Sequence, residues 1–128
     1  MSGLSKLERA QILLHQDLSM MITTLVFEPR LARIKVTFRD GSVLFVRYNN
    51  HNEYSYSVMF SDLTSDRSRF DNYDDTWEVV TRPHHYHPRM TKQGFLSPMK
   101  GVPDSDIPLL CDLLKKGKLL TREWRFDS

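Results

Sequence analysis

The chain has 128 residues, 40% of them hydrophobic and 27% charged, with a formal net charge of +2; this predicts one domain over residues 1–128 that buries a core without staples, and it excludes nucleic-acid binding by bulk charge alone. Cys111 is the single cysteine, so no intrachain disulfide forms and a cysteine-based zinc site lacks partners. No apolar run approaches the roughly 18 residues of a membrane span, and Lys6, Glu8 and Arg9 interrupt the first apolar turns as no signal peptide would, so a cytoplasmic protein without a membrane partner is expected.

A helix is predicted over residues 4 to about 17. Ser5-Lys6-Leu7-Glu8 fits a capping box, and Leu4, Leu7, Leu14 and Leu18 recur at helical spacing, with Ile12 and Leu13 widening the stripe. Over residues 20–27 the β-branched and aromatic residues suit a strand, with a continued helix as the alternative. Glu28-Pro29-Arg30 then turns the chain. Residues 31–38 alternate, with Ile34, Val36 and Phe38 on one face and Arg33, Lys35 and Thr37 on the other. Asp40-Gly41 predicts a hairpin turn, with Gly41 supplying positive φ. A two-residue loop would set Phe38 opposite Val43 and Val36 opposite Phe45; a bulged turn would shift the pairing, and the buried face, by one residue.

After a polar loop over residues 49–53, Tyr54, Tyr56, Val58 and Phe60 alternate with polar neighbours as in a half-buried strand. A turn over residues 62–66 leads to a short polar strand at 67–71, anchored by Phe70. Such close spacing predicts an antiparallel meander with one solvated face. Residues 72–76 read as loop and 77–81 as a short extended piece. Pro83, Pro88, Pro98, Gly94 and Gly101 predict a mostly irregular stretch over 81–101. Asp104 or Ser105 is the expected cap of a second helix, with Pro108 in its first turn, Ile107, Leu110, Leu113 and Leu114 as its apolar face and Gly117 as its stop. The tail carries Leu119, Leu120, Trp124 and Phe126, so residues 119–128 are expected to dock on the domain or on a second copy of the chain, as a homodimer. The fold class expected is α+β: an antiparallel sheet of four to six strands in a meander, with N- and C-terminal helices packed on one face.

The densest group of titratable residues is Pro83-His84-His85-Tyr86-His87. In an extended segment His85 and His87 share one side and His84 takes the other. Imidazoles near their free pKa give and take protons, and neutral ones bind metals, though no nearby cysteine or H-E-x-x-H spacing supports a metal here. The plainer alternative is a solvated, proline-bracketed loop whose rings pack on Trp77 or Tyr86. Arg67 and Arg69 share one strand face with Asp71 in phase, so they can hold a phosphate while Asp71 orients a histidine. The plainer alternative there is a solvated face of weak ion pairs. Lys92, with Arg89 and Lys100, is interleaved with Tyr86 and Phe95, a mixture that suits single-stranded nucleic acid but also an ordinary solvated loop. Cys111 sits among leucines and reads as a buried small residue.

A strand ending in Arg69-Phe70-Asp71-Asn72, a short spacer, Pro83-His84-His85-Tyr86-His87 and a capped C-terminal helix together resemble the TumE family of toxin–antitoxin proteins. The resemblance runs from about residue 20 to about residue 115, and its specific part is residues 69–87. The chain departs from the pattern where Tyr73-Asp74-Asp75 follow Asn72, in the place of a histidine such proteins commonly carry. The resemblance implies a small intracellular toxin encoded beside a helix-turn-helix antitoxin, with RNA as the expected target. On that reading RNA is cut without a metal or other cofactor. His84, His85 or His87 supply base and acid, Asp71 sets a histidine tautomer, Arg69 with Arg67 faces the charge on phosphorus, and Lys92 contacts the RNA. Two rival readings are a non-catalytic interaction protein, binding a partner through Trp124-Arg125-Phe126 and a sheet edge, and a metal-dependent hydrolase built on the histidines.

Overall fold

An antiparallel sheet of seven strands and two α-helices form an α+β fold in a computed structural model that describes residues 2–126. Helix α1 (Gly3–Leu18) leads into strands β1 (Ile22–Glu28), β2 (Arg33–Phe38), β3 (Val43–Tyr48), β4 (Tyr54–Met59), β5 (Arg67–Asp71), β6 (His85–His87) and β7 (Phe95–Leu96), followed by helix α2 (Pro103–Lys115). The strands lie in sequence order, each antiparallel to the next, so the sheet is an unbroken meander. The expected four to six strands become seven because the stretch over 81–101 is not irregular throughout: it holds β6 and β7. Strands this short fall below the length at which alternation is visible in a sequence. The expected extended piece at 77–81 is loop and turn instead.

The cap of α1 is Ser2, whose hydroxyl accepts from the Ser5 amide, rather than Ser5 itself. Gly3 permits the earlier start. A Cβ there would lie 2.9 Å from the Asn49 carbonyl carbon, and the Gly3 amide instead donates to Asn50 Oδ1 at 2.9 Å. The buried stripe is Leu7, Ala10, Leu13, Leu14 and Leu18, while Leu4 and Ile12, expected inside, are exposed. The β2–β3 hairpin takes the bulged form. The Gly41 amide donates to the Phe38 carbonyl, the Phe38 amide donates to the Ser42 carbonyl, and Gly41 has φ +90. This pairs Val36 with Leu44 and Thr37 with Val43, so Leu44, Val46 and Tyr48 turn inward and Phe45 turns outward.

Both helices and one face of the sheet share a single apolar cluster. Ile107, Leu110, Cys111 and Leu113 of α2 belong to it together with Tyr56, Val58 and Phe70 of the sheet, and burial pushes the Cys111 thiol up to about 12. Helix α2 begins with Pro103 after Val102, not at Asp104 or Ser105, so Pro108 lies beyond the first turn. Fully buried Asp106 ties the helix to the sheet. Its carboxylate accepts from the Tyr56 hydroxyl at 2.7 Å and from the amides of Lys100 and Gly101. Beyond Gly117, Leu119 is buried, and Trp124 and Phe126 pack edge-on against each other and against Tyr86. Among the described residues no helix is long and apolar enough to cross a membrane.

Candidate active site on the helix-free face

Strand alternation sends Ser68, Phe70 and Tyr86 into the core and leaves Arg67, Arg69, Asp71, His85 and His87 on the face without helices. The β5–β6 register then sets Arg69 opposite His87 and Asp71 opposite His85. Phe70 stacks on Tyr86 at 4.6 Å on the core side, which locks that register. Loop residues Tyr73, Asp74 and Trp77 close one side of the group, and Met90, Thr91 and Lys92 close the other. They enclose a cavity of about 600 Å³. Trp77 is pinned because Gly94 lies under it: a Cβ at that position would be 2.7 Å from Trp77 Cγ. Its ring meets the His87 ring edge-on at 5.6 Å.

Asp71 is the buried centre of this arrangement. Its Oδ2 lies 2.5 Å from Arg69 Nε and its Oδ1 lies 2.6 Å from His85 Nε2. Neither contact has good hydrogen-bond alignment, so charge attraction is the main component. His85 Nδ1 faces the Pro83 carbonyl at 2.9 Å. A carbonyl and a carboxylate both only accept, so this setting favours protons on both ring nitrogens, the imidazolium form of His85. Burial is the largest influence on its pKa and lowers it. The short Asp71 contact, the Asp71 charge and the Pro83 carbonyl together outweigh burial, and the net shift is upward.

His87 is in the opposite state. Its Nδ1 donates to the carbonyls of Lys92 and Gln93 at 3.0 and 3.2 Å, which leaves Nε2 with a free lone pair. Nε2 is buried without a hydrogen-bond partner among the described residues. Burial first, and then the charge of Arg69, lower its pKa to about 4. The two rings lie 4.7 Å apart and nearly perpendicular, with their pKa values shifted in opposite directions.

Of the residues singled out by sequence, Arg67, Arg69, Asp71, His85, His87 and Lys92 line one cavity. His84 does not join them. It stacks on Tyr54 and its Nδ1 lies 2.9 Å from the Tyr54 hydroxyl, with burial lowering its pKa. Asn72 clips β4, accepting from the Tyr54 amide and donating to the Asn52 carbonyl. Tyr73 and Met90 join the lining without having been expected there, and Trp77 meets the rings of His85 and His87 as the plainer alternative had it. Asp71, His85 and His87 also offer ligand atoms within 4.8 Å of one another, a donor set suited to a first-row divalent cation. Such an ion would have to displace Arg69 from Asp71 and take the Nε2 proton from His85.

A family model described as Toxin TumE matches residues 10–116, a span that holds all seven strands, helix α2 and every cavity residue. No curated protein and no solved structure matches the chain. With that match covering most of its length, the chain belongs to the TumE toxin family, the toxins of toxin–antitoxin systems.

Proposed function

We propose that this toxin is a metal-independent endoribonuclease that holds an RNA phosphate in the cavity between Arg69 and His87. The observation that supports this reading is the pair of adjacent imidazoles whose surroundings shift their pKa values in opposite directions, one of them with an unpartnered ring nitrogen. Environments that push the pKa values of neighbouring groups apart are how proteins assign acid and base roles at one pH. His87 Nε2 takes the proton of the ribose 2′-hydroxyl. The 2′ oxygen attacks phosphorus, the bond from phosphorus to the 5′ oxygen breaks, and Arg69 and Arg67 face the charge gathering on the phosphoryl oxygens. The departing oxygen leaves on the open side and takes its proton from the exposed Lys92. His85 keeps both its protons, and its fixed charge holds Asp71 in place. The incoming phosphate offsets the charge of Arg69, which raises the basicity of His87 when substrate is bound.

The toxin acts in the cytoplasm in this reading, and its antitoxin, of helix-turn-helix type, silences it by covering the cavity. The interaction-only rival loses its tail, because Trp124 and Phe126 already pack against Tyr86. The metal-dependent rival retains the grouping of Asp71, His85 and His87 in its favour. Incubating purified protein with cellular RNA in EDTA separates the two enzymatic readings. Cleavage should persist in EDTA, and His87→Ala and Arg69→Ala should each slow it by about 100-fold or more. Activity abolished by EDTA and restored by a divalent cation supports the metal reading, whereas variants as fast as the parent protein remove the mechanism.

A further inference from the structure

The helix-free face does not end at the cavity. It continues across β4, β3 and β2, where Arg33 lies opposite Arg47 and, one row along, Lys35 lies opposite Phe45. All four side chains are half-exposed. Arg47 faces Ser55, which faces Asp71; Phe45 faces Ser57, which faces Arg69. Only small serines therefore lie between this patch and the reacting group, two strand spacings or about 10 Å away. Tyr73 joins the two places, being close enough to both Arg47 and Arg69 for their charges to act on its hydroxyl.

The charge on this patch is costly as it stands. Like charges directly opposite on neighbouring strands repel. Glu28 pairs with Arg33 at 3.1 Å, but Lys35, Arg47 and Arg67 form no ion pair among the described residues. Burial, and then the charge of Arg33, make Arg47 easier to deprotonate. Both guanidiniums nonetheless lie over the Phe45 ring, 5.1 and 5.2 Å from its centroid. The ring holds two repelling forks together, and an anion between them relieves the repulsion.

We infer that this face is a track for single-stranded RNA, in which Arg33 and Arg47, held on Phe45, grip a phosphate flanking the one at Arg69. The identity of the strand rests on the RNA-cleaving reading above. Continuity with the cavity supports RNA over an acidic protein segment, and Lys35, Arg47 and Arg67 supply positive charge along the way that is unpaired among the described residues.

The test is fluorescence anisotropy with 2′-O-methyl oligonucleotides, which cannot be cut, in two lengths: about 10 nucleotides and a dinucleotide. Arg47→Ala should weaken binding of the longer strand about tenfold and flatten the log–log salt dependence by about 0.7, the loss of one phosphate contact. Phe45→Leu, which keeps the packing and removes the aromatic face, should weaken the longer strand in the same direction. Dinucleotide binding should be unchanged in both variants. Unchanged affinity and salt slope in Arg47→Ala would overturn the track. So would a glutamate-rich peptide that competes as well as RNA of equal charge, assigning the face to an acidic protein instead. If His87→Ala still cuts RNA while Arg47→Ala loses the salt slope, the mechanism fails and the track stands. If the reverse holds, the track fails and the mechanism stands.

Discussion

Replacing Asp71 by Asn keeps the shape at the centre of the site and removes its charge. The carboxylate faces Arg69 at 2.5 Å and His85 at 2.6 Å. Asp71 is 1% exposed and His85 is 2% exposed, so the substitution leaves a buried imidazolium without a counter-charge. Breaking a buried pair from one side costs about 3–5 kcal/mol. Arg69 is 29% exposed and solvent screens its share, so the lower end, about 3 kcal/mol, is expected. The cost depends on pH. The folded-state pKa of His85 lies above 6.5, so the stability it draws from Asp71 is fully present below pH 6.5 and is lost as pH rises through the raised value. Asp71 also holds the pKa of His87 up, but that group is already neutral in the folded protein above about pH 4, so its share stays out of a comparison made at higher pH. Urea unfolding of both proteins at about pH 5.5 and about pH 9 reads the difference. The gap should shrink from about 3 kcal/mol to about 1 kcal/mol, the residue of the partly screened Arg69 pair. An equal gap at both pH values would mean that His85 is not a cation in the folded protein, and the charge assignment would be wrong.

Three further outcomes follow from the same geometry. With His87 as the base, kcat/KM for RNA should stay level down to about pH 5 and fall near the free-protein value of about 4, while the fall in kcat should lie at higher pH because bound phosphate offsets Arg69; coincident profiles would contradict that role. Gly94→Ala would drive a Cβ to 2.7 Å from Trp77 Cγ, and the displaced indole should shift its fluorescence and cost about 1–3 kcal/mol in urea unfolding, whereas an unshifted spectrum would mean the indole is not pinned there. Cys111, buried and pushed up to about 12, should resist a thiol reagent at about pH 8 until urea unfolds the chain; rapid labelling of native protein would place it outside the core.

The parts of the fold that were legible in the sequence are those with repeated local signals. Ile34, Val36 and Phe38 alternate over a full strand, and Asp40-Gly41 marks the turn. The turn's register was not legible, because Gly41 suits both a two-residue and a bulged loop, and only packing of Leu44, Val46 and Tyr48 on the helices decides between them. Ser2 and Ser5 are equally good caps in isolation; the close approach of Gly3 to the β3 end selects Ser2. At the site, Asp71 and His85 could be paired in thought because strand phase puts both on one face. The separation of His84 from His85 and His87 was legible as strand alternation, but its partner was not, since only the fold brings Tyr54 against its ring. The outward face of Phe45 carries no signal in the sequence, because an aromatic residue in a strand ordinarily reads as core.

Tyr86 stands between His85 and His87 in sequence and on the opposite side of the sheet in space. Its ring lies between Phe70, Trp124 and Phe126, so the two imidazoles hang from a peg driven through to the back of the molecule. Residues 124–126, none of which lines the cavity, are the nut on that peg. Shortening the chain ahead of Trp124 would loosen the histidines from behind, silencing the toxin with every cavity residue still in its place in the sequence.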